Sequence, residues 1–233
     1  MLNGDEKVFP LRLFGASNAK ILFVLVTLLL KWGFFMVENK QKSWVKWVFS
    51  PLVSNATRAR KIAYIAMMVA LSIVFNIFFE FKLGPVQYSF TTIVSILIGV
   101  LIGPGAGFIA CFIGDAVGFF VNPFGAYAPW IGLSTGLMAF IGGAVFILFR
   151  NDKPWALYVK LAIISVATFT ICSVGINTTF LWLAYYSDST FFAYFVNRYI
   201  TLGQLLVSGI NYALLFILIP IIQRIRFFKD LQL

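Results

Sequence analysis

The chain has 233 residues, of which 61% are hydrophobic and only 11% charged, with 18 Lys and Arg against 8 Asp and Glu for a formal net charge of +10. Soluble domains carry about 25% charged residues, so an ordinary water-soluble globular protein is excluded and the chain reads as an integral membrane protein. It contains no histidine, which removes the commonest general base and most metal ligation, and Cys111 and Cys172 sit inside apolar stretches that offer neither a disulfide framework nor a metal cluster. No cofactor is expected.

Residues 1–57 form an extension open to two readings. Ile21–Leu30 is apolar, but Lys31 interrupts it, and Trp44, Val45, Trp47 and Val48 are interleaved with Lys46 after Lys42. Helices lying in the cytoplasmic interface and one extra span fit equally. Asp5, Glu6 and the lack of a small-residue cleavage site read as an unprocessed start rather than a secretory signal.

The core, 58–233, predicts an all-α bundle of six transmembrane helices. Ile62–Phe79 is free of charge, entered through Arg58, Arg60 and Lys61. Between Lys82 and Arg150 the one Asp, Glu, Lys or Arg is Asp115, and this stretch far exceeds a single span of about 20 residues. Gly103-Pro104-Gly105 and Asn122-Pro123-Phe124-Gly125 with Pro129 divide it, predicting helices near 86–102, 105–121 and 129–149. Leu161–Tyr186 and Tyr199–Ile222 follow, separated by Ser187-Asp188-Ser189-Thr190. Lys and Arg concentrate at one set of helix ends (Arg58, Arg60, Lys61, Arg150, Lys153, Lys160, Arg224, Arg226, Lys229) against Lys82 and Arg198 at the other. The positive-inside rule then predicts cytoplasmic core termini.

Polar groups within spans are expensive and usually face a cavity or another helix. Asp115 reads either as an orienting group below a ligand pocket or as a buried structural acid, with Asn122 on the same helical face. From Arg198, the residues Thr201, Gln204, Ser208 and Asn211 recur at helical spacing and predict an inward polar face. Arg198 suits a carboxylate or phosphate, with snorkelling to head groups as the competing use. Asn177 and Trp182, together with Tyr127, Trp130, Tyr185 and Tyr186, are read either as an interfacial aromatic belt or as groups that turn inward to hold a flat polar ring. Gly107, Cys111, Gly114 and Gly118 form a small-residue flank for close helix packing, and Ala66 with Ala70 forms a second, which serves core packing or a partner protein. The chain lacks a phosphate-binding loop, so it does not hydrolyse ATP by that mechanism.

Three stretches carry a family resemblance: Arg60–Leu71 with its Ala-x-x-x-Ala pair; Gly103–Gly107, Gly114–Gly118 and Pro123–Pro129; and Asn177-Thr178, Trp182-Leu183, Tyr185-Tyr186, Phe191 and Arg198. Over about residues 58–226 the chain resembles the substrate-binding S components of energy-coupling factor (ECF) vitamin transporters, in their folate-type branch. Tyr88–Thr92 and the long extension depart from that branch. The resemblance implies a non-enzymatic six-helix subunit that captures a vitamin outside and docks through Ala66 and Ala70 onto a transmembrane coupling subunit. Two ATPase subunits would drive it to topple and release the ligand inside.

Folate is the first ligand implied, with Arg198 on a carboxylate, Asn177, Gln204 and Asn211 on ring edges, Tyr127, Trp130 and Trp182 on the ring face, and Asn122 as a further binding residue. Cobalamin, a queuosine precursor, riboflavin and pantothenate are the alternatives. Outside that family, two further classes fit the composition: a self-sufficient proton-coupled transporter using Asp115, and a small assembly protein with no tight ligand. Membrane lipid is an expected partner and nucleic acid is not.

Overall fold

The computed structural model describes residues 48–50, 53–54, 57–83, 86–121, 128–149 and 154–224. Helix α1 is Arg58–Phe78, followed by an antiparallel hairpin of β1, Glu80–Leu83, and β2, Val86–Ser89, in the register Glu80 opposite Ser89 and Leu83 opposite Val86. Then come α2, Thr91–Ile102; α3, Pro104–Val121; and α4, Pro129–Leu148. A long composite helix comprises α5, Pro154–Ala167; a π-helical segment, Thr168–Thr178; and α6, Thr179–Tyr185. Last are α7, Phe191–Val196; a second π-helical segment, Asn197–Thr201; and α8, Gln204–Arg224.

Five helices among the described residues are long and apolar enough to cross a membrane, and α2 is shorter. The expected span over 86–102 therefore divides in two. Its first residues, Val86-Gln87-Tyr88-Ser89, pair with β1, and the remaining 12 residues of α2 give about 18 Å of helix, well short of the roughly 30 Å hydrocarbon core. Ser89 Oγ accepts the Thr91 N–H at 3.1 Å and turns the strand into the helix. Because α2 is buried at nearly every position, protein rather than lipid surrounds it, and it has no need to reach both surfaces. Its Ile93, Ile96 and Val100 join Met138, Val145 and Phe146 of α4, Leu157, Leu161 and Ile164 of α5, and Leu215 and Ile219 of α8 in one apolar core.

The tight turn expected at Gly103-Pro104-Gly105 links α2 to α3. Gly103 has φ of 106°, a region that L-residues with a Cβ avoid, and Pro104 opens α3 where its missing N–H costs nothing. Residues of the extension pack here: the Ser50 N–H bonds Ile102 O at 2.9 Å, Ser50 Oγ bonds Leu101 O at 2.6 Å, and Phe49 and Val53 are buried. The rest of the extension before Val48 lies outside the described residues.

Helices α2, α3 and α4 meet almost backbone to backbone. A Cβ on Gly143 would lie 2.5 Å from Gly99 O and 2.6 Å from Pro104 N, and one on Gly107 would lie 2.7 Å from Gly99 Cα. Gly143→Ala is expected to destabilise the chain by about 1–3 kcal/mol. Gly209→Ala, in α8 with nothing within 4 Å of its added Cβ, should be neutral or stabilising by up to about 1 kcal/mol. Equal melting temperatures for the two variants in detergent would contradict the close crossing.

The composite helix is continuous over 31 residues, and its middle is widened. Its π-helical stretch, Thr168-Phe169-Thr170-Ile171-Cys172-Ser173-Val174-Gly175-Ile176-Asn177-Thr178, is dense in β-branched residues and Gly, all weak α-formers. Threonine hydroxyls also compete for backbone carbonyls. Thr168 Oγ1 bonds Ile164 O at 2.7 Å, and Thr178 Oγ1 bonds Ser173 O, five residues back, at 2.8 Å.

Candidate functional site

Contacts between segments far apart in the chain bring the hairpin, the start of α4, the π-helical part of the composite helix and the α7–α8 region to one end of the bundle. Thr178 Oγ1 and Tyr199 Oη lie 3.1 Å apart, joining the two π-helical segments, so their chain neighbours Asn177 and Arg198 stand at the same level. Trp130 stacks on Phe180 with ring centroids 5.8 Å apart. Tyr88 Oη donates to Leu202 O at 2.5 Å, and Asn211 Nδ2 donates to Ser89 O at 3.1 Å. Deeper in the bundle, Tyr212 Oη and Thr168 Oγ1 are 3.1 Å apart, and the Phe169 ring meets Tyr199 and Tyr212 edge-on.

Arg198 is half-buried, with one guanidinium nitrogen 3.4 Å from Tyr194 Oη and its Nε buried without a partner. A snorkelling arginine would carry the whole guanidinium to water; the buried Nε fits the inward alternative. Tyr194 is itself held by stacking on Tyr186 at 4.7 Å. Trp182 donates Nε1–H to Ser189 O at 2.8 Å and meets Phe191 edge-on, so its polar atom fastens the turn before α7 and only its ring surface is left for a ligand. Gln204 begins α8, half-buried, just after Gly203 with φ of 69°. Asn122 and Tyr127 lie outside the described residues.

Among the described residues, seven buried side-chain nitrogen or oxygen atoms have no hydrogen-bond partner: Ser72 Oγ, Ser95 Oγ, Trp130 Nε1, Ser165 Oγ, Asn177 Oδ1, Arg198 Nε and Asn211 Oδ1. Buried polar atoms are normally satisfied, and each one left unpaired costs about 1–3 kcal/mol. Four of the seven belong to Trp130, Asn177, Arg198 and Asn211, residues singled out above from their types and spacing. Two are donors and two acceptors.

Asp115 is buried in α3. A Cβ on Gly132 would lie 3.0 Å from Asp115 Oδ2, so the carboxyl group rests against the first turn of α4 with little room between them. The small-residue flank of α3 is used in the same way: Gly114 packs on Ser72 and Gly118 on Asn76, the buried residues of α1. Ala66 and Ala70, with Met67, Leu71 and Val74, are exposed.

Tyr194, Tyr199 and Ser89 join this region in the fold without being marked by any motif in the sequence. Tyr199 carried a signal, since its hydroxyl in an apolar span needs a partner, but the partner on another segment could not be identified from spacing.

Residues 56–223 match the family of ECF-type riboflavin transporter S components. The chain belongs to that family. An S component is a transporter subunit rather than an enzyme, and with several apolar helices this one is a multi-pass membrane protein that works with an ECF module. The chain is also similar to the folate transporter FolT of Clostridium novyi (strain NT), 28% identical over 135 residues that cover 58% of this chain and 74% of the relative. A crystal structure of FolT bound with folic acid shares its fold, with a TM-score of 0.55 and 23% identity over 67% of this chain and 89% of that one.

Proposed function

We propose that this S component captures a folate-type vitamin in a pocket formed where the hairpin, α4, the composite helix and α7–α8 meet. The four unpartnered buried atoms on Trp130, Asn177, Arg198 and Asn211 carry the reading, because family membership and the similarity to a folate transporter leave the ligand itself to be argued from the site. Arg198 pairs with a carboxylate, Asn177, Gln204, Asn211 and Asn122 bond the ring edges, and Tyr127, Trp130 and Trp182 pack on the ring. Asp115 acts structurally.

In the same reading α2 is the sixth member of the bundle, the core termini are cytoplasmic, and lipid surrounds the rest. Ala66 and Ala70 dock on a transmembrane coupling subunit served by two ATPase subunits, and toppling delivers the ligand inward.

Riboflavin is the second reading, favoured by the description of the matching family. Titrating the purified full chain with each vitamin decides between them. Saturation by folic acid at one per chain, with riboflavin weaker by about 100-fold or about 2.7 kcal/mol, is the expected result, and the reverse order would replace folate with riboflavin. Uptake into liposomes by the chain alone would contradict dependence on an ECF module and return Asp115 to a proton-coupled role.

A further inference from the structure

Asn211 is 3% exposed, and its amide has one permitted orientation. The same amide terminus approaches two backbone carbonyls, Ser89 O at 3.1 Å and Val207 O at 3.0 Å. Carbonyl oxygens only accept, so that terminus is the NH2 group; rotating the amide by half a turn would set oxygen against two oxygens. The remaining atom, Oδ1, is buried and unpartnered. An acceptor fixed in this way cannot turn into a donor to suit its visitor, unlike a hydroxyl, which rotates.

We propose that Asn211 Oδ1 is a specificity-determining acceptor that requires an N–H donor on the ring edge of the ligand. The inference rests on the folate-type reading above and adds the polarity of the contact. The orientation of the amide is set jointly by Val207 O of its own helix and by the hairpin, where Ser89 sits at the end of β2 and Tyr88 beside it is tied to Leu202. Sites built to bond a polar group reject analogues lacking it far more strongly than apolar pockets reject an added methylene, since rejection leaves a buried group unpaired.

The test is a double cycle on the full chain in detergent. Wild type and Asn211→Leu are each titrated with folic acid and with two analogues that lack one ring-edge donor group each, one methylated at the ring nitrogen and one dimethylated at the exocyclic amine. If riboflavin proves to be the ligand, its single ring N–H is methylated instead. Asn211→Leu should weaken the parent ligand by about 10- to 100-fold. One methylated analogue should bind wild type about as weakly, and should lose almost nothing further in Asn211→Leu, because the same bond cannot be removed twice. A merely structural asparagine would give additive losses for every analogue, which overturns the proposal alone and leaves Oδ1 to a buried water. Failure of wild type to bind either vitamin overturns the folate-type reading and this inference with it. Folded variants are confirmed by an unchanged elution profile, and Asn211→Ser serves as the second variant if Asn211→Leu does not fold.

Discussion

Ala70→Trp is expected to reduce vitamin uptake by the assembled transporter to background while changing the affinity of the isolated chain by less than about twofold. The physical basis is the division of labour on α1. Its buried residues, Ser72 and Asn76, face α3, where Gly114 and Gly118 receive them. Ala66 and Ala70 lie on exposed positions beside Met67, Leu71 and Val74. Small residues permit two helices to approach closely, and an indole on such a flank separates the axes without entering the core of this chain. Co-purification with the coupling subunit, uptake and direct binding should be measured on the same variant. Loss of binding together with uptake would show that the flank belongs to this subunit's own packing, and full uptake would place the docking surface elsewhere. Ala66→Trp should repeat the result, since it lies one turn away on the same face.

The second large effect concerns Arg198. Arg198→Ala should weaken folic acid by about 100-fold, or about 2.7 kcal/mol, as expected for a charge-assisted bond whose buried partner is then left alone. Arg198→Lys keeps the charge but loses the planar fork, and should recover about tenfold of that loss. The side chain is held by Tyr194 at 3.4 Å while its Nε has no partner, so the group is partly positioned before a ligand arrives. A pterin that lacks any carboxylate provides the control: its affinity should be nearly equal in wild type and Arg198→Ala. An equal loss for both ligands would mean that the arginine supports the fold and does not read the acid.

Much of the architecture was legible because lipid enforces simple rules. Residues that cannot be hydrated must be apolar, and turns need Gly or Pro, so the boundaries at Ile102, Pro104, Val121, Pro129 and Leu148 fall within a residue or two of those read from the sequence. The same logic singled out Arg198, Asn177, Asn211 and Trp130, because a polar atom in an apolar segment needs a reason, and in the fold each retains a buried atom without a partner. Where the reading stopped, pairing was involved. Val86-Gln87-Tyr88-Ser89 runs without a charge or a breaker into the apolar residues of α2, and only its pairing with Glu80–Leu83 makes it a strand. The π-helical widening depends on the Thr178–Tyr199 and Thr168–Tyr212 contacts as well as on local propensity, and spacing by 3.6 residues contains no information about a partner helix.

By itself, then, the amino-acid order determined the solvent this protein lives in, the small-residue flanks and the short roster of polar side chains that need an explanation, because transfer free energies act residue by residue. Tertiary structure alone decided that α2 is a buried half-length helix rather than a span and that Asp115 rests against the first turn of α4. It also turned the Asn211 amide so that nitrogen faces the hairpin and oxygen faces away. Each of those outcomes is a relation between groups far apart in the chain, such as Asn211 with Ser89 or Asp115 with Gly132, and distance in space is what a one-dimensional pattern leaves undetermined.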